Sequence, residues 1–372
     1  MNILKKLNYF IKYILFLFLV TILIDLTINL LIPEKFKKEI GTTKNYSLKS
    51  KKFHHEIAPN INLPEFWGEN KYQVITNEYG MRINKDYKLN KNKKNIGFVG
   101  DSFVYGSGLD YNNHFLNLLF KNDNTNNYLN LAYVSYSPSI YFKRLKYFIE
   151  EKKINFKSVY VFIDISDIQD EGIFYREDIN GNIVRKWNSD KKIKFQNLKY
   201  QIKNYFKQNS FIYKFYDNIS FKTINEDQLK CIREKGNLTN FIEYLDYERF
   251  GYAHDLNLQK KDWVKEGQIK TLSYLTKIKE LLSANNIDLK LVYYPSAIDV
   301  LKGNKNFYKS SHFNFINRWS IKNNIEMINV SNNFNSKSNP ITNYTDNYIA
   351  CDVHWNLNGH NIIANNILPT LN

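Results

Sequence analysis

Cysteine is nearly absent from the 372-residue chain, with only Cys231 and Cys351 present. Two such residues exclude a disulfide framework, and a single bridge between them is neither required nor excluded. Zinc-finger spacing, a phosphate-cradling glycine loop and an RNP-like aromatic signature are also missing. The 52 basic against 36 acidic residues therefore come with no nucleic-acid motif. The lysines are spread along the whole length among asparagine, tyrosine and isoleucine. A net charge of +16 dispersed in this way leaves only a general attraction to acidic glycans or lipid head groups. No nucleic-acid partner, metal site or cofactor is expected. Apolar residues make up 43% and aromatics 16% of the chain, ample for a packed core. The length suits one large domain with an insertion, or two small ones.

Residues 1–33 begin with Lys5, Lys6 and Lys12 and run on through an uncharged stretch from Tyr13 to Ile24. Extended through Asp25, Asn29 and Ile32, the stretch reaches the roughly 20 residues needed to cross a bilayer. Asp25 costs about 2.5 to 3.5 kcal/mol at a helix centre and much less toward an interface, and the leucines, isoleucines and phenylalanines outweigh it. No small-x-small cleavage site follows. The segment reads as an uncleaved signal anchor, with a helix lying on the membrane surface as the alternative. Lys35, Lys37 and Lys38 just beyond it leave little positive-inside bias to set orientation.

The rest of the chain is organised around Asn95–Gly108, NIGFVGDSFVYGSG. Ile96–Val99 has the apolar run and closing turn of a buried strand, which places Ser102 at the strand's carboxyl end, where open α/β sheets bind ligands. A serine hydroxyl is a weak nucleophile, so chemistry there requires a histidine to take its proton and a carboxylate to orient that histidine. Both occur in Cys351-Asp352-Val353-His354-Trp355-Asn356. Two residues apart in a loop, Asp352 can fold back onto Nδ1 of His354 and leave Nε2 facing Ser102.

These two blocks, Gly100-Asp101-Ser102-Phe103 and Asp352-x-His354-Trp355-Asn356-x-x-Gly359-His360, resemble the SGNH (GDSL-type) hydrolase family in the D-x-H-W-N form. The resemblance spans roughly residues 73–372. It implies a Ser102–His354–Asp352 triad and an oxyanion hole whose first donor is the Ser102 N–H. The family's second donor is a glycine after strand two and its third an asparagine after strand three. Here Ser135 and Ser166 occupy those places, so the oxyanion candidates are Ser102, Ser135 and Ser166. The family also usually has a glycine where Cys351 stands, which makes Cys351 a small buried residue. The resemblance points to cell-envelope substrates and hence to a large domain outside the cytoplasm.

Along the chain, residues 34–94 read as a linker with one short hairpin, Tyr72–Arg82, turning at Asn77 and Gly80; the resemblance gives this hairpin a packing role. Strands are expected at Ile96–Val99, Tyr128–Leu131, Ser158–Ile163, Leu289–Tyr294 and Glu326–Val330. Helices are expected at His114–Phe120, Ser139–Lys152, Val264–Ala284, Asn306–Asn323 and Asn358–Leu371. The third of these helices places Ile269, Leu272, Leu275, Ile278, Leu281 and Leu282 on one face. Five parallel strands with this alternation predict a flavodoxin-like three-layer α/β/α sandwich over 95–372, interrupted by an insertion at 170–262 that suits a lid or a substrate-shaping subdomain. His254 in the insertion reads as a solvated loop residue and His312 as a surface residue. Asp167 and Asp170 suit helix capping or a lysine contact, and Trp355 packs behind His354 or faces a sugar.

The expected function is a membrane-anchored serine esterase acting on acyl, chiefly acetyl, esters of a small molecule or an envelope polysaccharide. An O-acyltransferase with the same triad, fed by a membrane acyl-donor partner, is the alternative. A non-catalytic glycan-binding or assembly protein on the same fold is a further one.

Overall fold

The computed structural model describes residues 3–31, 47–50, 52–67, 70–186, 210–213, 250–303 and 310–371. The chain divides into two compact units, 1–46 with 188–223, and 47–187 with 224–372.

In the first unit the apolar run forms one helix, α1 (Ile3–Leu31). Its segment Lys5–Ile28, 24 residues of mean hydropathy 2.3, is long and apolar enough to cross a membrane. Phe16, Phe18 and Leu23 are exposed, an arrangement that suits hydrocarbon rather than water. Thr21 and Thr27 turn their hydroxyls back onto the carbonyls of Leu17 and Leu23, so neither is left without an acceptor. Asp25, the one acid in the segment, is buried, and its Oδ1 accepts the backbone N–H of Ile212 at 2.9 Å. That hydrogen bond offsets part of the cost of taking a carboxylate out of water.

The second unit opens with two antiparallel ribbons where a linker and a single hairpin were expected. β1 (Ser47–Ser50) pairs with β2 (His54–Ile57), and β3 (Asn62–Trp67), β4 (Asn70–Thr76) and β5 (Arg82–Ile83) form a three-stranded sheet. Alternate residues Tyr72, Val74 and Thr76 of β4 are buried, as period-two patterning requires. The β4–β5 turn uses the expected residues: Asn77 Oδ1 accepts from the N–H groups of Tyr79 and Met81, and Gly80 has φ +69°.

The chain then winds through β6 (Lys94–Val99), α2 (Ser102–Tyr105), α3 (Phe115–Asn122), β7 (Asn126–Asn130), α4 (Pro138–Lys146) and β8 (Phe156–Ile163). A small hairpin, β9 (Tyr175–Glu177) with β10 (Ile183–Arg185), begins the insertion, whose residues 187–209 and 214–249 lie outside the described ones. The alternation resumes with α5 (Asp262–Ala284), β11 (Asp288–Tyr293), α6 (Ala297–Leu301), α7 (Ser311–Asn323), β12 (Glu326–Asn329), α8 (Pro340–Asn347) and α9 (Leu357–Ile367).

The five strands of the main sheet are all parallel, in the order β12-β11-β8-β6-β7. This is the flavodoxin-like order, with α3 against α9 and α4 against α5 as the helical layers. Val99, Val159, Val161, Phe162, Leu291 and Val292 are fully buried between those layers. β6 lies between β7 and β8, so the chain leaves β6 toward one side of the sheet and returns past it to the other. The crevice that such a reversal opens lies outside the carboxyl end of β6, directly ahead of Ser102.

Two helices differ from expectation. On α5 the buried face is Val264, Gly267, Thr271, Tyr274, Leu275, Ile278 and Leu282, while Ile269 is 70% exposed. The apolar stripe is wider than the face that the sheet covers. α9 begins one residue earlier than expected and is capped by Asn356, whose Oδ1 accepts from the N–H groups of Asn358 and Gly359.

Candidate active site

Gly100 lets the chain turn sharply off β6: a Cβ there would lie 2.4 Å from Val104 Cγ2. Asp101 then caps α2, its Oδ1 accepting the Phe103 N–H at 2.9 Å. Ser102 thus becomes the first helical residue, and its N–H has no acceptor within the helix. The residue is half-buried.

The Asp352–His354 segment is a closed loop ahead of α9. Tyr348 and Trp355 form an isolated bridge, Ile349 N–H donates to His354 O, and Tyr344 OH donates to Asp352 O. Cys351 has φ +55°, the left-handed region that a glycine occupies without cost. Cys351 is buried, as expected, and takes part in a disulfide, the bridge that the sequence neither required nor excluded; the chain's other cysteine, Cys231, lies outside the described residues.

Across this junction the structure brings three expected residues together. His354 Nε2 lies 2.8 Å from Ser102 Oγ, and His354 Nδ1 lies 2.6 Å from Asp352 Oδ1. With Nδ1–H donating to the carboxylate, Nε2 is left as the acceptor for the serine hydroxyl. Burial alone would raise Asp352, but the charge of His354 and hydrogen bonds from the His354 ring and backbone and from Trp67 hold its carboxyl below the usual value. Trp67 is the residue that sequence reasoning missed. Its indole N–H donates to Asp352 Oδ2 at 2.8 Å, and its ring meets His354 edge-on at 4.8 Å.

Trp355, by contrast, is 1% exposed and packs against Phe103 and Tyr294. It supports the histidine loop and faces no ligand. His360 accepts the Phe115 N–H on Nδ1 and joins α9 to α3.

Ser135 and Ser166 stand on the loops after β7 and β8, on either side of the Ser102 turn. Ser135 is exposed with φ +59°, the left-handed region that favours glycine. Its loop is held from outside the α/β core. Tyr175 OH donates to Ser135 O at 2.8 Å, and His55 Nε2–H donates to Val134 O at 2.6 Å. That bond fixes the tautomer of His55, so His54 Nδ1–H must be the donor in the 2.8 Å contact between the two rings. Burial, aided by nearby positive charge, lowers His54 to about 3 and His55 to about 4, keeping both neutral. Ser166 is half-buried, and its N–H donates to Asp164 Oδ1.

Beneath the Ser102 turn lie Asp101, Asp164 and Asp167, all buried. Asp167 neither caps a helix nor meets a lysine there; its oxygens accept Tyr141 OH and Asp164 N–H. Burial, then repulsion from Asp164, pushes Asp101 and Asp167 well above the carboxylate range. Both shifts favour the neutral carboxyl over the carboxylate. A carboxyl with a raised folded value loses stability as pH climbs above its unfolded value of about 3.9. Asp101→Asn, which retains the Oδ1 acceptor for Phe103, is expected to abolish that contribution. Thermal melts should show the variant gaining on the parent as pH rises above about 4; parallel curves would overturn the upward shift of Asp101. Among the described residues there is no cluster of three or more His, Cys, Asp or Glu side chains placed to hold a metal ion.

Two other histidines depart from expectation. His254 is not a solvated loop residue but pairs with buried Asp299 at 2.7 Å. His312 is 1% exposed and meets Tyr252 OH rather than lying on the surface.

No protein-family profile matches the chain, and no curated protein matches it. Among solved structures, a GDSL-like lipase from Bacteroides thetaiotaomicron is 12% identical, with 76% of this chain and 90% of that one covered at a TM-score of 0.34. A member of the lipolytic G-D-S-L family from Veillonella parvula is 11% identical, with 75% and 98% covered at 0.37. A catalytic mutant of an acetylxylan esterase from Geobacillus stearothermophilus is 12% identical, with 76% and 95% covered at 0.37. In each of these three cases, what this chain is similar to is a GDSL-type lipolytic protein or an acetylxylan esterase.

Proposed function

We propose that the chain is an SGNH-type serine esterase that cleaves acyl groups, acetyl in particular, from an envelope carbohydrate. The observation that carries this reading is the unbroken hydrogen-bond series from Ser102 Oγ through His354 to Asp352, with separations of 2.8 and 2.6 Å.

In this reading His354 Nε2 takes the Ser102 proton as Oγ attacks the ester carbonyl, and the Ser102 N–H, with the Ser135 and Ser166 loops beside it, stabilises the oxyanion. His354 then returns the proton to the departing sugar hydroxyl. Water repeats the sequence on the acyl-serine and releases the acid. Asp352 holds the Nδ1–H tautomer throughout and stabilises the imidazolium.

The helix α1 supports a membrane tether. The Cys351 disulfide supports a domain facing an oxidising compartment, because such bonds persist mainly outside the cytosol. The test is full-length protein in detergent, given p-nitrophenyl acetate and a fluorophosphonate probe. Turnover and labelling at Ser102, both absent from Ser102→Ala, are expected. An unlabelled parent no more active than that variant would leave a binding or assembly protein instead.

A further inference from the structure

We infer that Trp67 is a positioning residue for the acid of this site, so that the antiparallel ribbon before β6 is part of the esterase apparatus and not a spacer. The inference rests on the reading above and extends it to a segment that the two sequence blocks do not include.

A carboxylate joined to its chain through two rotatable bonds can swing, and a histidine two residues away does not by itself stop it. Asp352 Oδ1 is occupied by His354 twice, by the backbone N–H at 2.8 Å and by Nδ1 at 2.6 Å. Its other oxygen is held by Trp67 Nε1 at 2.8 Å. With one donor on Oδ2 and two on Oδ1, the plane of the carboxylate is fixed, and with it the direction of the imidazole.

The indole is itself confined. It ends β3, whose partner strand resumes at Asn70. On its other side stands Gly108, at φ +82°, where a Cβ would lie 3.2 Å from Trp67 Cδ1 and 2.5 Å from Ile349 Cδ1. The positive φ and the 2.5 Å approach to Ile349 favour glycine here, and they set the backbone after α2 close beside the ring. The loop that follows the nucleophile and the loop that carries the acid are therefore both registered against one tryptophan. Independently, the neighbouring ribbon grips the Ser135 loop through His55 and Val134 O. The appended strands thus touch the site at two separate places.

The test compares Trp67→Phe, which keeps the ring and loses the donor, with the parent in the full-length chain. Turnover of p-nitrophenyl acetate should fall about tenfold in kcat with KM unchanged, as expected for loss of one hydrogen bond to a charged group. The downfield proton resonance of the His354–Asp352 hydrogen bond should shift, while the thermal midpoint stays near that of the parent. Trp67→His, which restores a ring N–H on that side, should recover part of kcat. Equal kcat in parent and Trp67→Phe, or a loss in which KM and melting move together while the resonance does not, would overturn the inference. A parent that neither turns over nor labels at Ser102 would overturn the underlying esterase reading, a result distinct from either of these.

Discussion

Replacing His354 with alanine is expected to lower kcat for acetyl-ester hydrolysis by about 10⁶-fold, as is replacing Ser102, and the double variant should lose little more than either alone. The non-additivity follows from the geometry. Ser102 Oγ faces His354 Nε2 at 2.8 Å, and neither group has work to do when the other is gone. A residual rate above water should remain, since the Ser102 N–H and the flanking loops survive the change. Steady-state release of p-nitrophenol measures the effect, with circular dichroism to verify folding. His354 is almost wholly buried and packs against Phe103 and Trp67, so His354→Gln, nearer in volume, is the companion variant. A loss of less than tenfold in both would mean that Ser102 is activated by another group.

Asp352→Asn should cost about 10⁴-fold in kcat while leaving the loop in place. The asparagine amide would present N–H or C=O to Nδ1 at the same 2.6 Å position. With Trp67 Nε1 and the His354 backbone N–H both seeking an acceptor, one of these three contacts must then set donor against donor. The arrangement that keeps Trp67 satisfied turns the amide N–H toward Nδ1, which puts the imidazole proton on Nε2, facing Ser102 and unable to accept. Because the native carboxyl is held below its usual value, it stays ionised throughout the range in which imidazoles titrate. The defect should therefore persist from pH 6 to pH 8. Activity within tenfold of the parent at pH 7 would show that Asp352 does not orient the histidine.

The residues that the sequence made legible are those whose role is written in a few adjacent letters. Ser102 follows a short apolar strand and a glycine, and His354 sits two residues from a carboxylate ahead of a capped helix. The strand alternation likewise predicts the parallel sheet, because strands buried on both faces read as apolar runs. What stayed hidden depends on distant partners. Trp67 meets Asp352 across 285 positions, with no local pattern to mark it. His254 reads as solvated because no partner for it is visible nearby in the sequence: Asp255 caps a helical turn, and the actual partner, Asp299, lies 45 positions away. Ile269 was placed inside because periodicity reports how wide an apolar stripe is and not which part of it the sheet covers. The β4–β5 hairpin is legible from its turn residues, whereas the β1–β2 ribbon is not, for a related reason. β1 and β2 are four residues each, too short to show an alternation, and they are secured by His55 and Tyr136 contacts with the loop after β7.

The separations of 285 residues between Trp67 and Asp352 and 252 between Ser102 and His354 also bear on when this protein becomes active during synthesis. An N-terminal helix can enter a bilayer while the ribosome is still hundreds of codons from the base and the acid. Ser102 therefore leaves the ribosome long before His354 and Asp352 exist. Such long-range closure is slow relative to local folding, so the contacts of Ser102 with His354 and of Trp67 with Asp352 are expected to form late, after the last residues of the chain have been made.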